Sequence, residues 1–220
     1  MSAFLSAPVQ SLLQRLHAEA RAVDPTFFKL MQDLPEAEKK TMDYKQHYGL
    51  ARDCFLPVGE ELGRLLYSLV RSSRARTIVE FGTSFGISTI YLAAGLRDNG
   101  GGRLITCEFE PTKSQRAKGH LAEAGLADLV DFRVGDALEL LNGTLAEPVD
   151  FVLLDGAKPL YLPVLQLIEP SLKSGALVAS DNINDRSDVK AFTGYVRNPA
   201  NGYLSVAMPL GDGIELSVRL

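Results

Sequence analysis

Three short stretches carry residue types that could do chemistry. Thr77-Ile78-Val79-Glu80-Phe81 is an apolar run that opens into Gly82-Thr83-Ser84-Phe85-Gly86-Ile87-Ser88, a tight glycine turn that could cradle a nucleotide at the end of a buried strand. Asp155-Gly156-Ala157-Lys158 and Ser180-Asp181-Asn182 each follow another apolar run. Asp155, Asp181 and Asn182 supply three hard oxygens, a donor set for magnesium or calcium rather than for a softer metal. Lys158 is the candidate general base. A free lysine is protonated at neutral pH, and positive charge beside it disfavours the ammonium form. Together the stretches point to an enzyme that holds a nucleoside cofactor beside a divalent metal. The plainer alternatives are a pair of capping acids and a surface lysine at a helix start.

The glycine turn discriminates between cofactors. A dinucleotide site needs G-x-G-x-x-G, so that backbone can approach a pyrophosphate. Here the second position is Ser84, whose Cβ obstructs a pyrophosphate, and the third is Ile87, which obstructs close helix–strand packing. Glu80-x-Gly82-x-x-x-Gly86 suits instead a cofactor without phosphate, or an ordinary strand–helix connection. Leu104-Ile105-Thr106-Cys107 ends in Glu108, 28 residues after Glu80, where a carboxylate can accept from both ribose hydroxyls. The rival reading is an exposed strand-end acid. Asp136 and the Ala137 amide, after a third strand, could reach an adenine. Asp136 also reads as a helix N-cap.

Positioning these groups requires a particular order of elements. From residue 76 on, β-rich runs at about 77–81, 103–108, 130–134, 149–154 and 175–180 alternate with helical segments at about 86–98, 111–125, 136–143 and 158–173. Such alternation implies parallel strands joined by right-handed crossovers. After a helix at 187–197, two alternating runs, 203–208 and 214–219, flank Gly211-Asp212-Gly213 and read as an antiparallel hairpin. The first 75 residues read as a helical cover. One helix covers 8–23 with Asp24-Pro25 breaking it, a second covers 27–34, a third 44–52 and a fourth 57–70 with proline at its start. The expectation is one α/β domain over 1–220: a cover over 1–75 and a sheet core over 76–220.

Composition bounds the class. The 220 residues are 46% hydrophobic and 23% charged, with a net charge of −4. No basic cluster suggests a nucleic-acid partner. No apolar stretch reaches the roughly 18 residues of a membrane span. The N-terminus lacks the pattern of a signal peptide, so the cytoplasm is the default expectation. Cys54 and Cys107 read as buried free thiols, and no Cys/His spacing suggests zinc.

In order along the chain, Glu80-Phe81-Gly82-Thr83-Ser84-Phe85-Gly86-Ile87-Ser88, Glu108, Gly135-Asp136-Ala137, Leu154-Asp155-x-x-Lys158 and Asp181-Asn182 resemble the class I S-adenosylmethionine-dependent O-methyltransferases. The branch they resemble is the metal-dependent one of catechol and caffeoyl-CoA O-methyltransferases, bacterial members in particular. The resemblance runs from about Leu56 to the C-terminus. It implies a Rossmann-like, seven-stranded, mostly parallel sheet with an antiparallel C-terminal hairpin and helices on both faces. It implies cofactor contacts from Val58, Glu80, Gly82, Thr83, Ser84, Ser88, Glu108, Asp136, Ala137 and Asp155. The same resemblance puts a divalent cation (magnesium first, calcium or manganese next) on Asp155, Asp181 and Asn182, and the base role on Lys158. It further implies a homodimer and a small catechol-like or vicinal-diol acceptor, since two oxygens on one metal would hold the nucleophile at the methyl group. Gly156-Ala157 is small where animal catechol enzymes carry His-Trp, and Asn184-Asp185-Arg186 departs from the usual apolar–Gly insertion. The extra late acid that those enzymes place against the diol has no match. A nicotinamide-dependent oxidoreductase and a non-catalytic S-adenosylmethionine-binding protein are the rival readings.

Overall fold

Seven apolar runs become the strands β1 (Thr77–Phe81), β2 (Arg103–Glu108), β3 (Val130–Val134), β4 (Val149–Leu154), β5 (Leu172–Asp181), β6 (Tyr203–Met208) and β7 (Ile214–Arg219). The protein's structure is a computed structural model that describes residues 2–143, 145–146, 148–184 and 187–220, with the backbone alone at Lys40. The strands form one sheet in the order β3-β2-β1-β4-β5-β7-β6. β1 to β5 pair in parallel, and β7 runs antiparallel to both β5 and β6. The strand order reverses between β1 and β4, which opens a crevice at their carboxyl ends.

The helices are α1 (Ala7–Asp33), α2 (Glu36–Thr41), α3 (Tyr44–Leu50), α4 (Glu60–Ser72), α5 (Ile87–Asp98), α6 (Pro111–Glu123), α7 (Ala137–Leu140), α8 (Tyr161–Ile168) and α9 (Lys190–Val196). Side chains alternate across a strand, and each sheet face buries one set. Ile78, Leu104 and Phe151 pack with α1, α4 and α5. Val79, Ile105 and Val152 pack on the opposite face with Tyr161, Leu165 and Phe192. Both cysteines are free and buried, and among the described residues no helix is long and apolar enough to cross a membrane.

Several expected boundaries move. Asp24-Pro25 does not end the first helix: α1 continues through Pro25 to Asp33 and absorbs the separate 27–34 segment. Proline removes one helical hydrogen bond, but the buried face continues through Leu16, Ala20, Asp24 and Phe27 at helical spacing. The Asp24 carboxylate accepts from the backbone amides of Phe55 (2.7 Å) and Leu56 (2.9 Å). α4 begins at Glu60, capped by Gly59, rather than at Pro57. The 136–143 helix is the single turn α7. The 158–173 segment divides into a 3-10 turn (Lys158–Leu160), α8 and a second 3-10 turn (Glu169–Ser171), with Pro159 and Pro170 inside the two turns. β5 starts at Leu172, where it pairs with Val149. Asp185 and Arg186, in the departure noted after Asn182, lie outside the described residues.

The Asp24 bonds fix a segment that borders both cavities described below. Leu56 adopts a left-handed φ of 44° there, unusual for a branched residue. Asp24→Ala would leave two amides without their acceptor. Urea denaturation should show a loss of about 2–6 kcal/mol, at 1–3 kcal/mol per buried unpaired group. A loss under about 0.5 kcal/mol would mean that the segment is held by packing alone.

Candidate active site

The turn after β1 needs three left-handed residues in five. Gly82 (φ 105°), Ser84 (φ 46°) and Gly86 (φ 87°) supply them. A Cβ on Gly82 would stand 2.5 Å from the carbonyl oxygen of Asp155, so this glycine lets β1 and β4 meet at the crevice. The loop amides are already engaged: Gly82 and Thr83 donate to Cys107 O, Gly86 donates to Thr83 O, and Ser84 donates to Glu108 Oε2 at 2.7 Å. A phosphate cradle works through free backbone amides, and these four have acceptors within the protein.

Glu80 lies under this loop, fully buried. Ser88 Oγ donates to its Oε1 (2.6 Å), while Thr89 Oγ1 (2.7 Å) and Thr106 Oγ1 (2.6 Å) donate to its Oε2. Thr83 Oγ1 lies 2.5 Å from Thr106 Oγ1 and extends the chain. Burial pushes the Glu80 carboxyl up to about 7, against the pull of the three hydroxyls.

One cavity at the crevice is lined by Val58, Gly82, Thr83, Ser84, Ser88, Glu108, Asp136, Ala137 and Asp155. Glu80 does not line it. The residue expected to contact a cofactor instead holds the loop from beneath. Glu108 presents a fixed carboxylate, accepting from the amides of Ser84 and of Glu110 (3.0 Å). Asp136 is the N-cap of α7, its Oδ1 accepting from Leu138 N (3.0 Å), and it also lines the cavity.

Other lining residues come from places that sequence reasoning missed. Tyr44, Lys45 and Tyr48 of α3 cover the cavity. Tyr48 OH donates to Gly156 O (3.1 Å), and Lys45 Nζ lies 3.9 Å from Asp136. The one sequence signal for α3 is its capping box of Asp43 and Gln46. That signal marks a helix start but not its position over the crevice. Lys113, from the first turn of α6, also faces this cavity.

A second cavity adjoins the first, and Pro57 and Val58 border both. Asp181 and Asn182 line it, with His17, Phe28, Glu60 and Asp212. Pairing of Leu154 with Ser180 puts Asp155 and Asp181 at adjacent strand ends. Lys158 is 6% exposed, so the surface-lysine reading fails. Its Nζ bonds Asp155 Oδ1 (3.1 Å) and Tyr161 OH (2.8 Å), and Tyr161 OH donates to Asp181 O (3.0 Å). Burial raises the Asp155 carboxyl, opposed by Lys158. Burial and then the charge of Asp155 push Asp181 up to about 7. Two buried carboxylates therefore face one ammonium, and a hard dication would relieve the excess charge. No group of three His, Cys, Asp or Glu suited to a metal occurs among the described residues; the donor set here is two carboxylates and the Asn182 amide. Asp212, in the Gly-Asp-Gly turn, adds a further charge that raises Asp181. From its sequence position it reads as part of a hairpin turn, with no charge role assigned to it.

Residues 79–183 match a family profile described as a methyltransferase domain. The catechol O-methyltransferase of Niastella koreensis is 34% identical over 131 residues, 58% of this chain and 58% of that protein, so the match spans little more than half of that relative. The catechol O-methyltransferase B of Danio rerio is 33% identical over 187 residues, covering 79% of this chain and 69% of its own. Among solved structures, the O-methyltransferase TomG of Streptomyces achromogenes in complex with S-adenosylmethionine matches with a TM-score of 0.68 at 30% identity, over 90% of this chain and 96% of that one.

The raised Glu80 carboxyl has a consequence for stability. The unfolded chain ionises this group near 4.5, while the native state keeps its proton until about 7. Between those values the native state binds more protons, so stability falls as pH rises. Glu80→Gln should flatten the fall in Tm between pH 5 and pH 8, with a difference of up to about 3 kcal/mol at 1.36 kcal/mol per pH unit. Parallel Tm curves for the two proteins would show that Glu80 is ionised throughout.

Proposed function

The chain belongs to the S-adenosylmethionine-dependent O-methyltransferases of the catechol and caffeoyl-CoA type, and we propose that it methylates a hydroxyl of a small catechol-like or vicinal-diol acceptor with the help of a divalent cation. The observation that carries this reading is the junction of two cavities. Asp155 lines one, Asp181 and Asn182 line the other, and Lys158 is buried against Asp155.

The residues suit both groups. S-adenosylmethionine supplies an electrophilic methyl, and a divalent cation, magnesium first with calcium or manganese as alternatives, supplies Lewis acidity that eases loss of a hydroxyl proton. Asp155, Asp181 and Asn182 would hold the cation. Glu108 accepts from ribose hydroxyls, while Asp136 and Ala137 face the base. The engaged loop amides favour a cofactor without phosphate and count against a nicotinamide dinucleotide. Lys158 Nζ would receive the hydroxyl proton in the general-base role. Tyr161 OH orients that nitrogen and is itself tied to the Asp181 carbonyl. A protein that only bound the cofactor would have no use for this buried trio.

The same reading takes a small-molecule acceptor in the cytoplasm and a homodimer. The edge strand β6, with Leu204 65% and Val206 55% exposed, offers an apolar surface for a second copy.

Mass spectrometry of catechol incubated with the protein, S-adenosylmethionine and magnesium should show the mono-methyl ether, and EDTA should abolish it. No product under any metal would overturn the reading. Asp181→Ala should lower turnover about 100-fold or more, close to 3 kcal/mol of barrier. Its Kd for S-adenosylhomocysteine should stay within about threefold, because Asp181 lies outside the first cavity. Unchanged turnover would remove the metal role.

Lys158→Met should lower kcat by about 10²–10⁴, the usual range for a general base, again without weakening S-adenosylhomocysteine. Equal kcat would assign the proton to another group.

A further inference from the structure

Lys113 is a buried cation that the reaction above leaves unused. It stands in the first turn of α6 and is 4% exposed. Its Nζ lies 5.4 Å from the centroid of the Phe85 ring. The one hydrogen bond that Nζ makes among the described residues is a long contact of 3.4 Å to Ser84 Oγ, which itself donates to Phe55 O at 2.6 Å. An ammonium carries three donors, and burying it costs free energy unless they are met. Burial pulls Lys113 below the usual lysine range, with Glu108 as the strongest opposing charge.

Lys113 and Glu108 converge on one residue. Glu108 Oε2 accepts from the Ser84 amide, and Lys113 approaches the Ser84 hydroxyl. Both residues line the first cavity. A vicinal diol has two O–H donors and also lone pairs. A carboxylate can take the two hydrogens, and the oxygens then still seek a donor.

We propose that Lys113 Nζ donates to a ribose hydroxyl oxygen of the cofactor while Glu108 accepts from the diol, so that acid and ammonium together clamp the ribose. The assignment rests on the reading that this cavity holds S-adenosylmethionine. Lys113 replaces there a donor that sequence motifs of the loop do not provide, since the nearby loop amides already have partners.

Titration calorimetry with S-adenosylhomocysteine and its 2′,3′-dideoxy analogue tests the clamp on the wild type, Lys113→Met and Lys113→Gln. Lys113→Met should weaken S-adenosylhomocysteine about 10- to 100-fold, as expected for a charged hydrogen bond. The dideoxy analogue should bind wild type and variant alike within about twofold, and KM for the acceptor should not move. Equal weakening of both ligands, or of neither, would overturn the proposal. Lys113→Gln, one atom shorter and with a neutral amide donor in place of the ammonium, carries the comparison should the methionine variant not fold. A wild type that binds neither ligand would sink the methyltransferase reading along with it, whereas a wild type that binds both equally sinks the clamp alone.

Discussion

The fully buried carboxylate of Glu80 ties together the elements that make the crevice. It comes from β1, and its three hydroxyl donors come from β2 and the first turn of α5. Thr83 joins the same chain of hydroxyls through Thr106. A buried carboxyl left without these partners would be costly. The loop from Gly82 to Gly86 is held over this network, with the amides of Gly82, Thr83, Ser84 and Gly86 bonded within the protein. The floor of the site is thus set by polar satisfaction inside the core rather than by ligand contact.

The opposite charge problem holds at the junction of the two cavities. Asp155 and Asp181 are brought together because β4 and β5 pair in register, and burial raises both carboxyls. Lys158 answers one of the two charges, and Tyr161 fixes the geometry by linking Lys158 to the Asp181 backbone. Such an arrangement is poor as a stabilising device, since desolvation offsets most of the attraction in a buried pair. It is well suited to receiving a cation and moving a proton.

The N-terminal helices do more than cover the sheet. α1 reaches through Asp24 to hold Phe55 and Leu56, and the following Pro57 and Val58 border both cavities. α3 closes over the first cavity through Tyr48 and Gly156. One cavity is in this way framed by segments more than 100 residues apart in the chain, and its shape depends on how the cover docks.

Local order along the chain was enough to read the five parallel strands, the C-terminal hairpin, and the strand-end placement of Glu108, Asp136, Asp155, Lys158 and Asp181, because apolar runs of strand length and the breakers after them are short-range signals. The same signals misjudged Asp24-Pro25, where a buried stripe and two long-range hydrogen bonds outweigh one lost helical bond. They also gave Glu80 a ligand contact, since nothing nearby in sequence announces Thr106 as its partner. Lys113, Asp212 and α3 entered the cavities only once the sheet had brought remote loops to one edge. Burial and charge neighbours are properties of the packed chain, and they turn a plain lysine or turn aspartate into part of a site.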